Sequence, residues 1–370
     1  MAYSILILSG IYPPDVGGPA KFADVYSKWI SSKKWQVKVV SLTDGEKSTK
    51  NDQGVEASLV SRRENLPRRY FYTVFQICRA SRKVDFVLAN GLFIELWIAA
   101  KILGLKYVVK VPGDIVWERA RNQSITSKNV DDFQTEELNW KYRIFRALFS
   151  SCLLGATDVI VPSQHLLELC ERWGVPSNRI HLIHNSVFTD RFAQIELRKD
   201  FDVLTVARLV KWKGIDEIIR NCGRNNLRLL IVGDGPEMQN LKVIAEEVNA
   251  AVTFTGEIAQ ENLVGYYSRS RLFVLNSNFE ASSYSLLEAM ACSLPVIASR
   301  NTGSSEVVRH GIDGLLIDET YSLQDALAHL FANPELFSVM GENGRQRVFT
   351  YFNSEKNFGN IADILLHGSR

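Results

Sequence analysis

The sequence predicts an α/β protein with two doubly wound, mostly parallel sheets, and three observations predict it. Short unbroken aliphatic runs, such as Ile5–Leu8 and Leu229–Val232, mark strands buried on both faces. Each run is followed by a loop and then by a stretch of helical periodicity, the alternation of a βα fold. That alternation fills the first half, gives way to a polar stretch ending near Asp200, and restarts at Phe201. At 370 residues the chain has room for two full cores.

In chain order, Met1–Gly10 is apolar but has no basic flank and no cleavage site, so it reads as a first strand and not as a signal peptide. The loop Gly10–Pro19 carries Gly17 and Gly18, which let backbone approach a ligand closely or simply make a tight turn. Pro19 opens the next helix where no N–H donor is needed, and Phe22, Tyr26, Trp29 and Ile30 give that helix an apolar face. Val37–Leu42, Val84–Leu88, Tyr107–Val111 and Asp158–Val161 are the further strands expected in this half. Asp114 follows Pro112-Gly113 at a strand end, where open α/β sheets bind ligands, and helix capping is the competing role. His181–Ser186 is read as the crossover between domains.

The second half begins with a strand at Phe201–Ala207, then Arg208-Leu-Val-Lys211-Trp-Lys213-Gly214 and an amphipathic helix from Ile215. Leu229–Val232 follows, and Gly233-Asp-Gly-Pro236 opens another helix. Val252–Thr255, Leu272–Leu275, Val296–Ala298 and Leu315–Ile317 complete a second sheet, and a helix over Asn353–Leu366 ends the pattern.

Composition is that of an ordered globular protein, 46% hydrophobic and 23% charged. Charge is uneven: residues 1–190 hold 25 Lys and Arg against 19 Asp and Glu, and the remainder 18 against 22. A basic first half beside an acidic second half fits an enzyme whose first domain meets an anionic surface. The strongest cluster is Arg62–Lys83, with seven basic residues and one acid interleaved with Tyr70, Phe71, Tyr72 and Phe75. Such a stretch suits peripheral contact with an anionic membrane, and a solvated helix with one face in the core is the alternative. Five scattered cysteines without paired metal spacing fit free thiols in a reducing compartment, so a cytoplasmic location is expected, at most peripheral to the membrane. No apolar run is long enough to span a bilayer.

The chemistry concentrates in Asn276–Ser299, NSNFEASSYSLLEAMACSLPVIAS. Glu280 stands in a polar loop and Glu288 in a short apolar helix, expected over Leu286–Cys292. A helix N-terminus flanked by two carboxylates suits a ligand with anionic and hydroxyl parts, such as a sugar nucleotide. The Gly-x-Gly-x-x-Gly dinucleotide fingerprint is missing after the first strand, which argues against an oxidoreductase.

Four segments in this order resemble glycosyltransferase family 4, retaining enzymes of the GT-B fold, along nearly the whole chain. They are Tyr12-Pro13-Pro14…Gly17-Gly18, Ala207-Arg208-Leu209…Lys213-Gly214, Val232-Gly233-Asp234-Gly235-Pro236, and Glu280…Glu288-Ala-Met-Ala-Cys-Ser-Leu-Pro-Val. The resemblance implies two Rossmann-like domains facing across a cleft. Because the family's last helix crosses back onto the first domain, the expected domains are 1–187 with 354–370, and 188–353. It implies that Arg208 and Lys213 hold a diphosphate, with Tyr284, Ser285 and Leu286 adding main-chain donors and Gly233 shaping the loop. Glu288 would accept the ribose hydroxyls, Glu280 would contact the transferred sugar, and Glu257 and Ile258 would meet the base. Gly17 and Gly18 would approach from the first domain. Ala281 and Ser283 stand where the family commonly has glycine, and Asp114 lies near the family's usual histidine position, which makes it the acceptor-side catalytic candidate. The implied activity is transfer of a hexosyl unit from a UDP- or GDP-sugar to a glycan or lipid-linked glycan, with no cofactor, no metal and no nucleic-acid partner. A UDP-GlcNAc 2-epimerase-like enzyme and a non-catalytic nucleotide-sugar binder are the alternatives.

Overall fold

A computed structural model describes residues 3–46, 48–192, 197–300 and 302–368. The chain forms two compact units, Met1–Ile183 with Phe358–Arg370, and His184–Asn357. Residues 1, 2, 369 and 370, counted in the expected first domain, lie outside the described residues.

The first unit holds eight strands: β1 (Ser4–Ser9), β2 (Gln36–Thr43), β3 (Ser48–Asp52), β4 (Val55–Ser61), β5 (Phe86–Asn90), β6 (Val108–Lys110), β7 (Asp158–Val161) and β8 (Ile180–Leu182). Their order is β3-β4-β2-β1-β5-β6-β7-β8, with every pairing parallel except β3 with β4. The sheet reverses its strand order at β1 and β5, the switch point at which such sheets bind ligands. Three strands, β3, β4 and β8, depart from the sequence reading. The β3–β4 hairpin was not expected, because Ser48–Asp52 has no aliphatic run; its turn, Gln53-Gly54, has positive φ at both residues. Part of the stretch read as an interdomain crossover is β8, which pairs with β7 at the sheet edge.

The helix Gly18–Ser32 buries Phe22, Tyr26 and Ile30. Phe358, from the final helix Ser354–Gly368, meets Phe22, Tyr26 and Trp29 edge-on, with centroids 6.0, 5.1 and 5.6 Å away. Burying this ring contributes about 1.5–3 kcal/mol and is the physical reason the C-terminal segment belongs to the first unit.

The second unit holds β9 (Phe201–Val206), β10 (Leu229–Val232), β11 (Val252–Phe254), β12 (Ser270–Leu275), β13 (Val296–Ser299) and β14 (Leu315–Ile317). All five pairings are parallel, in the order β11-β10-β9-β12-β13-β14. Alternate residues enter separate cores. Phe273 and Leu275 join the one under the helix Tyr284–Ala291, whereas Leu272 and Val274 join the one under Ile215–Arg224. Both faces are covered, so these strands read as unbroken aliphatic runs. Among the described residues no helix is long and apolar enough to cross a membrane.

Candidate active site

The loops that leave the C-terminal ends of β9, β10 and β11 are joined backbone to backbone. Leu209 N donates to Asp234 O at 2.9 Å, Glu237 N to Leu209 O at 3.1 Å, and Gly233 N to Gly256 O at 2.9 Å. Gly233 has φ +132°, and a Cβ there would lie 2.0 Å from Ala207 O, so only glycine fits. The Gly-Asp-Gly-Pro turn therefore backs the segment that carries Arg208. The Arg208 guanidinium is exposed and has no ion pair or hydrogen bond among the described residues.

Lys213 ends a short 3₁₀ turn, Lys211–Lys213, which is tied to the loop after β12. Asn278 N donates to Trp212 O at 2.8 Å. Asn276 Nδ2 donates to Gly214 O at 3.2 Å and to Glu217 Oε2 at 2.8 Å, and Ser299 Oγ donates to Asn276 Oδ1 at 3.1 Å. These bonds bring Lys213 Nζ onto Glu280 Oε1, which also accepts from Ser277 Oγ at 2.7 Å. The pair is mostly covered, with the Lys213 and Glu280 side chains 17% and 12% exposed. Expected on two different parts of a ligand, Lys213 and Glu280 hold one another here. Gly303 N donates to the Glu280 carbonyl at 3.1 Å, and a Cβ at 303 would lie 2.1 Å from that oxygen. Asn276, Ser277 and Gly303 were not singled out from the sequence. A glycine just after β13, at the start of the helix Thr302–Val307, was the available signal for the last of them.

The helix after Glu280 begins at Tyr284, two residues before its expected start. Ser283 Oγ accepts from Leu286 N at 3.3 Å, so the Leu286 amide, expected as a ligand donor, serves the helix's own cap. The Ser285 amide, one position earlier, lies in the first turn and precedes that capped position. The Tyr284 hydroxyl donates to Asn185 Oδ1 at 3.3 Å, and Asn185 Nδ2 donates to Ser282 O at 2.9 Å. Burial raises the Tyr284 phenol well above its ordinary range, so it stays protonated. Glu288 is 2% exposed, which rules out a solvated surface glutamate. Its Oε1 accepts from Gln260 Nε2 at 2.8 Å and its Oε2 from the Tyr267 hydroxyl at 2.9 Å. Glu257 is exposed just before this turn, and Ile258 packs against the core that includes Tyr267.

In the first unit, Gly17 precedes the helix Gly18–Ser32, and its carbonyl accepts from Lys21 N at 2.9 Å. Their loop is clamped through Asp15. Asp15 Oδ2 accepts from Asp44 N at 3.1 Å and from Arg62 at 3.0 Å, and Arg62 also bonds Asp44 Oδ1 at 2.8 Å and the Gly10 carbonyl. This corrects one expectation: Arg62, counted with the membrane-facing cations, is an internal clamp. Asp114 needs a second correction. It is 1% exposed; Oδ1 accepts from Val116 N and Trp117 N at 2.9 and 3.0 Å, and Oδ2 from Gln134 Nε2 at 2.9 Å. Asp114 caps the helix Ile115–Asn122, and both its oxygens are engaged by that cap and by Gln134. Nearby, Lys110 is buried with its ammonium 4.5 Å from the centroid of the Phe22 ring, and desolvation lowers it to about 7.

A family model described as glycosyl transferases group 1 matches residues 187–347, and one described as a glycosyl transferase 4-like domain matches residues 17–186. The chain belongs to the family 4 glycosyltransferases. This family 4 chain is 30% identical over 238 residues to a GDP-mannose-dependent alpha-(1-6)-phosphatidylinositol monomannoside mannosyltransferase of Mycobacterium tuberculosis, covering 56% of this chain and 62% of that protein. It thus spans about six-tenths of the length of the first curated relatives it matches. Among solved structures, sucrose-phosphate synthase from Thermosynechococcus elongatus superposes with TM-score 0.81 at 20% identity, covering 98% of both chains. HepE of Anabaena, solved with UDP and glucose, superposes with TM-score 0.80 at 18% identity, covering 99% of this chain and 100% of that one. These superpositions are of fold: the chain has the GT-B architecture of two Rossmann-like domains.

Proposed function

We propose that this chain is a retaining, metal-independent hexosyltransferase. It would move a sugar from a nucleotide diphosphate donor to a glycan or lipid-linked glycan of the cell envelope. The observation that supports this best is the covered Lys213–Glu280 pair, bonded to Ser277. As the glycosidic bond breaks, negative charge develops on the departing diphosphate, and Arg208 with Lys213 supplies opposing charge. The Tyr284 and Ser285 amides at the helix start add main-chain donors. When Lys213 turns to phosphate, Glu280 is released to accept sugar hydroxyls, and its charge favours the oxocarbenium-like state. Glu288 accepts the ribose hydroxyls, and main-chain atoms of Glu257 and Ile258 meet the base. The leaving phosphate oxygen takes the acceptor's proton as the acceptor attacks from the same face, so the anomeric configuration is kept.

The similarity to a relative named for GDP-mannose makes GDP-mannose the first donor to try, followed by UDP-glucose and UDP-GlcNAc. Each is incubated with and without a lipid-linked glycan acceptor, and the product linkage is read by NMR. Acceptor-dependent consumption with a retained anomer is expected. An inverted linkage would overturn the mechanism. Epimerisation without an acceptor would overturn transfer itself.

The same reading places the acceptor side at a membrane. On the helix Leu66–Ser81 and its C-terminal end, Arg68, Phe71, Phe75 and Arg79 recur at helical spacing on one face, with Phe71 76% and Phe75 51% exposed. Arg68 lies 3.5 Å from Glu64, and its side chain stays 73% exposed. Changing Arg68 and Arg79 to Glu should lower binding to phosphatidylglycerol vesicles at least about tenfold, at about 1 kcal/mol per charge. Undiminished vesicle binding would remove this surface from the proposal.

A further inference from the structure

The two oxygens of Glu288 are held by partners of different character. Tyr267, on Oε2, is fully buried and lies within the core of the second unit. Gln260, on Oε1, is exposed and belongs to a single 3₁₀ turn, Gln260–Asn262. The turn follows the loop of Glu257 and Ile258, to which the base contact has been assigned above. The Gln260 side chain reaches from an exposed turn to a carboxylate that is itself 2% exposed. Tyr267 cannot leave its place without opening the core, whereas Gln260 can turn into water at the cost of one hydrogen bond.

We infer that Gln260 is a displaceable stopper of the ribose subsite, a positioning residue that holds Glu288 ready and gives way to the ribose diol of the donor. The inference rests on the reading of Glu288 as the ribose acceptor. In the free protein the Gln260 amide donates to Oε1; on binding, a ribose hydroxyl donates to that oxygen in its place, and Tyr267 keeps Oε2 oriented throughout. Donor affinity is then lowered by the bond that has to be exchanged, and the lowering falls on the diol alone. Phosphate and base contacts do not sense it.

The test is Gln260→Ala, with dissociation constants for UDP and GDP measured by calorimetry, each against its 2′,3′-dideoxy analogue. For whichever nucleotide binds, affinity should rise about 3- to 10-fold, the size of one hydrogen bond to a charged group partly replaced by water. The dideoxy analogue should bind both proteins equally. Donor KM should fall with kcat unchanged, a split that a purely structural role for the turn would not produce. Equal or weaker diol binding by the variant, or an equal gain with the dideoxy analogue, would overturn the stopper. A parallel Glu288→Gln variant separates the two ideas. If it binds the diol nucleotide as the parent does, the ribose reading of Glu288 fails. If it binds at least about tenfold more weakly while Gln260→Ala gains nothing, only the stopper fails.

Discussion

Glu280→Gln is the change that tests the site most directly. Glutamine keeps the volume and still offers Ser277 an oxygen, so the substitution removes the charge and little else. It leaves the Lys213 ammonium, 17% exposed, without its carboxylate. A hydrogen bond to a charged group contributes about 1.5–3 kcal/mol, and the pair's limited contact with water screens it little. Some relaxation of Lys213 toward solvent offsets part of this, so the expected loss of stability is about 1–2 kcal/mol, or roughly 2–8 °C in Tm. Lys213→Met should cost a similar amount. The double variant should cost less than the two added together, with a coupling of about 1–2 kcal/mol by denaturant titration. On turnover the two residues should separate. Glu280→Gln should lower kcat about 100- to 1000-fold while nucleoside diphosphate affinity changes less than about threefold, whereas Lys213→Met should weaken that affinity about tenfold or more. Loss of stability with kcat kept within about threefold would make the ion pair purely structural. A coupling near zero would refute the geometric reasoning itself.

Lys110→Met tests burial of charge. The Lys110 ammonium falls from 10.5 to about 7 in the folded protein, so between those values the unfolded chain binds more protons and stability rises as the pH rises. Removing the group should therefore stabilise the protein more at pH 6 than at pH 9, by roughly 3 kcal/mol, and equal gains in calorimetry at both pH values would refute this. Gly303→Ala drives a Cβ to 2.1 Å from the Glu280 carbonyl, so stability should fall by about 1–3 kcal/mol and kcat at least about tenfold; an unchanged kcat would detach that backbone from the site. Asp114→Asn preserves a capping oxygen and should keep kcat within about threefold, whereas Asp114→Ala should cost about 1–3 kcal/mol of stability. A 100-fold loss of turnover in the Asn variant would reinstate Asp114 as a catalytic group.

Much of the fold could be read locally because its information is local. Strands β7, β10 and β14 lie where their aliphatic runs lie, since a strand buried on both faces has no polar positions to blur its edges. The strands that escaped notice are β3, β4 and β8. β3 and β8 are edge strands, where one side needs no apolar partner and polar residues such as Ser48, Thr49 and His181 are admitted, whereas β4 lies between β3 and β2 and its aliphatic residues are interrupted by Glu56 and Ser58. Leu286 escaped as a cap partner because a two-residue shift in a helix start changes which amide is free.

By itself the sequence determined the two sheets, the order of the four motif segments, the presence of Arg208, Lys213 and Glu280 after strand ends and that of Glu288 in the short helix that follows Glu280. These follow from periodicity and from residue types within a few positions of one another. Only the tertiary structure decided what those side chains do to each other. Lys213 meets Glu280 across 67 residues of chain, and Arg62 meets Asp15 across 47. Gln260 reaches Glu288 across 28, and Phe358 closes on a helix near the opposite end of the sequence. Such pairings depend on which strands lie side by side and on how far each loop runs past its strand. A carboxylate in a loop is a ligand group, a helix cap or half of an ion pair according to what the folded chain sets within 3 Å of it, and spacing along the chain does not contain that distance.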